Sequence, residues 1–579
     1  MERQPREKAV SVIQFLLGVA GVLNFLILFF LPVLEHILKN GEYLKPYAFT
    51  LLALYAFYYF LRFKDWNNSR ERTFLITSNT LILVLSLISA IMKPKIFFLL
   101  ILIREIYILI KAISSNYQTK VVKSNRINYN SYQNSVFFKL TSNPAVALMF
   151  SFFITILLGT FLLMHPESSA SGEITPFIDA FFTSTSATCV TGLVVFDTGT
   201  YFSQAGQIII LILIQIGGLG IMTISTAFAI ILGQNLNIST QKVMQNVVGE
   251  KNRVNFYSLL KSIISATIIF EVIGALILFT QFKDHLPTLS EAIYHSIFHS
   301  VSAFCNAGFA LYPDSFVSYQ NNSVVIIAIG FLIILGGIGF SVINDIRFNF
   351  LKKFAFRRLT LHSKIVLIST AILLVVGSGI FFLSEFRNTM VDFKFGSRLL
   401  NSWFQSVTCR TAGFNTVDQA QLSNGSTLSS MVLMFIGASP GSTGGGIKTT
   451  TIALLVIAMI ASLKGTKDIN AFKRKISNQS FREVITLLAI ALLVLGILTF
   501  FFMLTEDGGF RELLFEAISA FATVGLSQGV TASLSVLGKL IIIMLMYLGR
   551  IGPMTLIYAT SLHLIKVKVQ YNEENVSIG

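Results

Sequence analysis

Apolar runs near the length of a bilayer crossing, about 20 residues, recur along this chain at 10–34, 46–61, 74–92, 96–112, 145–164, 207–232, 262–281, 323–344, 364–384, 429–463, 483–504 and 538–563. They read as twelve candidate spans, so the pattern predicts an all-α polytopic membrane protein. After residue 165 the outer polar stretches are long, roughly 30 to 45 residues each, and every one holds a second, shorter apolar stretch followed by a glycine. A helix of about ten to twelve residues is too short to cross the hydrocarbon core and has the length of a re-entrant segment.

Stacking these stretches on their glycines reveals an internal repeat: FFTSTSATCVTGL (181–193), IFHSVSAFCNAGF (297–309), WFQSVTCRTAGF (403–414) and LFEAISAFATVGL (514–526). Gly192, Gly308, Gly413 and Gly525 are separated by 116, 105 and 112 residues. An aromatic stands ten positions before each glycine (Phe182, Phe298, Trp403, Phe515), and a serine six before it (Ser186, Ser302, Ser519), with Val407 as the exception. The spacing predicts four pseudo-symmetric span, pore-helix, span repeats around a central pore, at 140–240, 241–350, 351–465 and 466–579, preceded by about four extra spans in 1–139.

A dehydrated cation needs oxygen ligands, which rings of backbone carbonyls supply in channels. Aiming successive carbonyls at one axis takes backbone with φ > 0, where glycine has no Cβ penalty. The candidate ion-binding backbone is therefore Val190, Thr191, Gly192, Asn306, Ala307, Gly308, Thr411, Ala412, Gly413, Thr523, Val524 and Gly525. A second set of echoes, IGGLG (216–220), LGGIG (335–339), GGGIK (444–448) and LGRIG (548–552), follows in the second spans. In the first two copies these read as close-packing glycines. Residues 437–449, GASPGSTGGGIKT, cannot continue a helix and read as a broken span lining the path. Gly441 to Lys448 approaches a phosphate-binding loop, but Ile447 separates the second glycine from the lysine and no βαβ pattern surrounds it. Arg550, within a span, costs at least about 2.5 kcal/mol there and needs a cavity or a carboxylate partner.

Composition agrees with a membrane chain: 54% hydrophobic and 12% charged residues, with mean hydropathy +0.72. It excludes a cytosolic enzyme, a secreted disulfide scaffold and a nucleic-acid-binding domain. The net charge of +16 is mostly a topology signal. With both termini in the cytoplasm, 30 of the 44 Lys and Arg residues fall on inner segments, the bias of the positive-inside rule. Lys93 and Lys95 run against it. Arg104 and Glu105 adjoin on one helix without facing each other. Glu271 reads as a hydrogen-bonded buried acid. The seven histidines show no metal spacing, and Cys189, Cys305 and Cys409 read as small buried residues.

The SATCVTGL run, the paired AGF turns and the fourfold layout make roughly residues 140–570 resemble the Trk/Ktr/HKT superfamily of potassium transporters. The resemblance implies potassium uptake through the four glycine turns, possible coupling to Na+ or H+, and no enzymatic step. It makes the 437–449 loop a gate, with Gly437, Gly441, Gly444, Gly445, Gly446 and Lys448, and Arg550 a positive barrier beneath the filter. Serine in place of the first glycine accompanies sodium transport in that family, so Gly192 points to potassium. It further implies a multi-pass homodimer in the cell membrane above a cytosolic ring of Rossmann-type nucleotide-binding subunits. The basic linkers 344–364 and 463–482 are candidate docking faces, or simply positive-inside charge. An ion-conducting subunit of an ATP-driven pump and a sodium-selective carrier are the alternatives.

Overall fold

Pro144 at a first helical position, followed by an unbroken apolar run, starts helix α1, Pro144–Met164. In the computed structural model the described residues are 144–231, 256–349, 355–466, 468–552 and 555. The four spans expected within 10–112, the Arg104–Glu105 pair and the end of the last span lie outside them.

The helices that follow are α2 (Phe177–Thr188), α3 (Gln204–Ile231), α4 (Phe256–Phe282), α5 (Leu289–Phe304), α6 (Ser323–Ile338), α7 (Phe340–Asn349), α8 (Leu361–Glu385), α9 (Phe395–Thr408), α10 (Asn424–Phe435), α11 (Thr449–Leu463), α12 (Asn478–Thr505), α13 (Phe510–Ala522) and α14 (Val536–Ile551). Many begin on a side-chain cap: Thr288, Asn322, Thr360, Ser423, Ser477 and Ser535 each accept from an N–H of the first turn. Three described helices contain stretches long and apolar enough to cross a membrane, Lys261–Phe282, Leu361–Glu385 and Asn478–Thr505. Their outward faces carry exposed residues such as Ile268, Ile269, Leu276, Val375, Leu383, Phe500 and Leu504, the surface a lipid-facing helix needs and a water-facing one avoids.

One span departs from expectation, and another breaks where expected. The 323–344 run is not one helix: α6 and α7 meet at 96°, hinged on Gly339 at φ +99°, where a Cβ would lie 2.6 Å from the Pro440 carbonyl oxygen. The 429–463 run is interrupted between α10 and α11, as its Gly and Pro content required. The short helices α2, α5, α9 and α13 run to 12, 16, 14 and 13 residues. The surplus over the expected length arises at the N-terminal side; in α5 the Thr288 cap starts the helix early.

Each short helix packs on the long helix before it (α1 with α2, α4 with α5, α8 with α9, α12 with α13). The approach is set by a glycine on three of those long helices. Gly159, Gly274 and Gly377 sit opposite Ser184, Ser300 and Ser406, whose hydroxyls donate to the carbonyls of Ile156, Glu271 and Leu374 at 2.7, 2.7 and 3.2 Å. The second helix of each set also packs on the short helix of the next: α6 on α9, α10 on α13, and α14 on α2. Between α3 and α5 the link is the Tyr294 hydroxyl donating to Gln207 Oε1 at 3.0 Å. This succession returns to where it began.

Candidate ion pathway

All four short helices end in the same backbone figure. Two positions before the glycine the chain turns left-handed at Val190 (φ 57°), Asn306 (59°), Thr411 (68°) and Thr523 (51°), and it does so again at Gly192 (93°), Gly308 (72°), Gly413 (78°) and Gly525 (92°). Three of these non-glycine residues are β-branched, for which such φ is a genuine outlier costing about 1–3 kcal/mol. Strain held in four equivalent places is the mark of a functional backbone.

The four turns meet. A Cβ on Gly192 would lie 2.5 Å from the carbonyl oxygen of Ala307, and one on Gly308 would lie 2.7 Å from that of Ala412. On Gly413 it would press on Val524 O, and on Gly525 on Thr191 O. Each glycine thus abuts the carbonyl before the next glycine, and the order 192, 308, 413, 525 closes on itself. Thr191, Ala307, Ala412 and Val524 are all 0% exposed, yet among the described residues no donor reaches their carbonyl oxygens. Buried carbonyls are almost always paired. The hydroxyls of Thr188, Thr191 and Thr523 are likewise buried without a partner. Oxygens alone, converging and undonated, form a site whose chemistry suits a cation.

Side chains in each helix's last turns hold the figure in shape. Ser186 and Ser519 Oγ accept from the N–H of Gly192 and Gly525 at 3.1 Å. The Ser302 hydroxyl donates to Phe309 O at 2.8 Å, and in the third copy Thr408 donates to Phe414 O at 2.8 Å. The third turn is one residue shorter: Ala412 N bonds to Thr408 O, four back, where the other copies reach five back. Two expectations change in consequence. Val407 is not the counterpart of the serines; Thr408 is. Phe404, 1% exposed, fills the place of Phe182, Phe298 and Phe515, while Trp403 packs over Gly330 of α6.

The glycine echoes sort themselves by what they touch. Gly217, Gly336 and Gly549 press on the carbonyls of Thr188, Phe304 and Phe521 at the ends of α2, α5 and α13. In the third copy Gly437 meets no such carbonyl: a Cβ there would lie 2.5 Å from Gly445 O of its own loop and 3.3 Å from the Thr411 methyl, while Gly444 meets the Thr411 hydroxyl. The close-packing reading fits Gly217 and Gly336, whereas Gly339 makes the bend.

Into that bend fits the loop 436–448. Ser439 N donates to Gly337 O at 3.0 Å, Thr443 N to Gly336 O at 3.2 Å, and Phe340 N to Gly441 O at 2.9 Å. Gly437 N reaches Ile447 O at 2.8 Å, joining the loop's two ends. Gly444 and Gly445 face the hydroxyls of Thr411 and Thr523, so a Cβ on either would collide with a turn. Lys448 Nζ donates to the carbonyls of Gly444 and Gly445 at 2.8 and 3.3 Å; it braces its own loop. Arg550, 2% exposed, has no carboxylate partner among the described residues. It donates Nη1 to Thr443 O and Nη2 to Gly217 O, the latter at 2.5 Å. The loop is therefore latched from one side by an arginine and docked on the other into a helix bend.

The cysteines and Arg410 stand at the ends of the short helices, beside the turns. Cys189, Cys305 and Cys409 are free and buried, and no cluster of His, Cys, Asp or Glu fit for a metal occurs among the described residues. Glu271 lies on α4, its Oε1 without a partner. Arg410 is 4% exposed and reaches Thr370 Oγ1 at 3.4 Å. Thr443 and Thr408 escaped the sequence reading. A one-residue gap in the third copy was the signal for Thr408; Thr443 had none.

Comparison with known proteins gives one answer. The family described as "TrkH: Cation transport protein" matches residues 122–566. The chain is 39% identical over 445 residues to the Potassium/sodium uptake protein NtpJ of Enterococcus hirae, covering 76% of this chain and 97% of that one. It is 40% identical over 439 residues to the Ktr system potassium uptake protein B of Vibrio alginolyticus, covering 75% and 95%. The crystal structure of the potassium transporter TrkH from Vibrio parahaemolyticus matches with a TM-score of 0.60 at 17% identity, covering 83% of this chain and 97% of that one, a likeness of fold.

Proposed function

We propose that this chain, which belongs to the TrkH family of cation transport proteins, takes up potassium across the cell membrane through a selectivity filter built on its four glycine turns. It is a membrane ion transporter, not an enzyme. The filter backbone comprises Val190, Thr191 and Gly192; Asn306, Ala307 and Gly308; Thr411, Ala412 and Gly413; and Thr523, Val524 and Gly525. The observation that carries this reading is the closed succession of buried carbonyls of Thr191, Ala307, Ala412 and Val524 that no donor among the described residues reaches. A desolvated cation is stabilised by such oxygens and in turn supplies the partner they lack.

The architecture we assign is four pore repeats at 140–240, 241–350, 351–465 and 466–579, with extra spans in 1–139 and both termini in the cytoplasm. The 437–449 loop acts as the gate: packed against Thr411 and Thr523, it obstructs the way below the turns. Arg550 holds it there and adds a positive barrier. Movement of the loop is eased by Gly437, Gly441, Gly444, Gly445 and Gly446, and Lys448 keeps its glycine run together. We further assign a homodimeric membrane part, with or without Na+ or H+ coupling, working with a cytosolic ring of Rossmann-type regulatory subunits that docks on the basic inner linkers.

Uptake of radioactive rubidium by proteoliposomes holding the purified chain tests the reading. Rubidium should enter without ATP, and Gly308→Ala should abolish entry; an absolute requirement for ATP and another subunit would instead place the chain in a pump.

A further inference from the structure

Asn306 breaks the pattern of the turns. At the equivalent place the other copies carry Val190, Thr411 and Thr523, and none of these has both a donor and an acceptor on an arm as long as the asparagine amide. Asn306 uses both ends. Its Nδ2 donates to Thr411 Oγ1 at 3.3 Å, tying the second turn to the third. Its Oδ1 lies 3.4 Å from the hydroxyl of Thr443 in the loop beneath, which also donates to Phe304 O at 3.2 Å. Asn306, Thr411 and Thr443 are each 0% exposed. The far side of Thr443 is its carbonyl, the acceptor for Arg550. One residue of the loop therefore touches the end of α5, a turn side chain and the arginine latch.

We propose that Asn306 and Thr443 couple the loop to the filter, so that withdrawal of the loop and a loss of ion discrimination at the second and third turns are one event. This rests on the pathway assigned above. When Thr443 leaves with the loop, Asn306 Oδ1 loses its donor inside a dry interior, where an unmet acceptor is costly. The amide then reorients, and its bond to Thr411 goes with it. Residues 306 and 411 already hold strained left-handed backbone, and such conformations persist only while their surroundings enforce them. Two turns relax together, and the spacing of their carbonyls changes. Asn306 is a positioning residue in this scheme: its side chain acts on discrimination through Thr411.

The test compares rubidium and sodium uptake in proteoliposomes made with the full chain. Asn306→Ala and Thr443→Val should each lower rubidium over sodium discrimination by about three- to tenfold, the scale of one buried hydrogen bond. The double variant should lose no more than the worse single one, since both cut the same link. Arg550→Ala leaves the turns intact and frees the loop, so it should raise rubidium flux and lower discrimination together. Additive single effects, or Arg550→Ala protein that conducts faster with its discrimination unchanged, overturn the coupling. Should Asn306→Ala not fold, Thr443→Val and Arg550→Ala still decide. The pathway reading fails separately, if the unaltered chain takes up no rubidium.

Discussion

Lys539 Nζ lies 2.7 Å from Asp179 Oδ1, a pair 360 residues apart in sequence, with side chains only 12% and 9% exposed. It ties α14 to α2 and so closes the succession of packed helices where the chain itself does not. Removing one partner of a shielded pair strands the other charge, at a cost of about 3–5 kcal/mol. Asp179→Asn and Lys539→Met should each lower the melting temperature in detergent, and Asp179→Leu with Lys539→Met should recover most of the loss. Single variants that melt like the parent protein would show that packing alone closes the ring.

Gly192 has no room for a side chain beside the Ala307 carbonyl, and its φ of 93° disfavours one. Gly192→Ser should push the first and second turns apart and loosen the fit to the larger ion. Rubidium over sodium uptake is expected to fall at least about tenfold, a barrier difference of about 1.4 kcal/mol. An unaltered ratio in folded protein would remove Gly192 from the filter.

Carbonyls that converge without donors repel one another until a cation enters. Folded protein should therefore bind potassium where the unfolded chain does not, gaining about 2.7 kcal/mol at a hundred times the dissociation constant. Exchanging potassium for choline at constant ionic strength should lower the melting temperature, and sodium should restore it less fully. Equal melting in all three salts would speak against a potassium site in the turns.

Gly339 lets α6 and α7 turn through 96° to admit the loop. Gly339→Ala both strains that φ and crowds Pro440, so the loop should dock poorly and rubidium should leak through faster, alongside a stability loss of more than about 1 kcal/mol. Slower flux from folded protein would mean that the docked loop holds the path open.

The hairpin 470–475 exposes Lys473, Arg474 and Lys475, with Lys475 paired to Asp468 at 2.5 Å. Surface charges of this sort govern encounter more than affinity. Replacing the three by alanine should weaken capture of a cytosolic regulatory ring and flatten its salt dependence, as read in a pull-down at two ionic strengths. Undiminished capture would reduce the hairpin to a topology signal.

The turns were legible because their requirements are local. A glycine after Thr191, Ala307, Ala412 or Val524 announces a backbone that most residues avoid, and four copies at similar spacing announce a repeat. The third copy misled at Trp403 and Val407, since stacking on the glycine hides a turn shortened by one residue; the hydroxyl of Thr408 and the buried ring of Phe404 show the true register. The 323–344 run misled for another reason. Apolar composition asks only for burial, and the bend at Gly339 satisfies it against the loop as well as a straight span would against lipid.

Hydrophobic period, charge bias and the placement of glycine and proline were enough to say that this chain crosses a membrane, repeats a short helix and a turn four times, and breaks one span. Those properties follow from each residue's own conformational limits and its preference for water or oil. Which carbonyl abuts which glycine, that Gly444 and Gly445 face Thr411 and Thr523, and that Arg550 grips Thr443 while Thr443 reaches Asn306 were left to the packed helices. Such contacts depend on the rotation of each helix about its axis to within a few tenths of an ångström, and side chains a hundred or more residues apart acquire a common neighbour only after every interface has been packed.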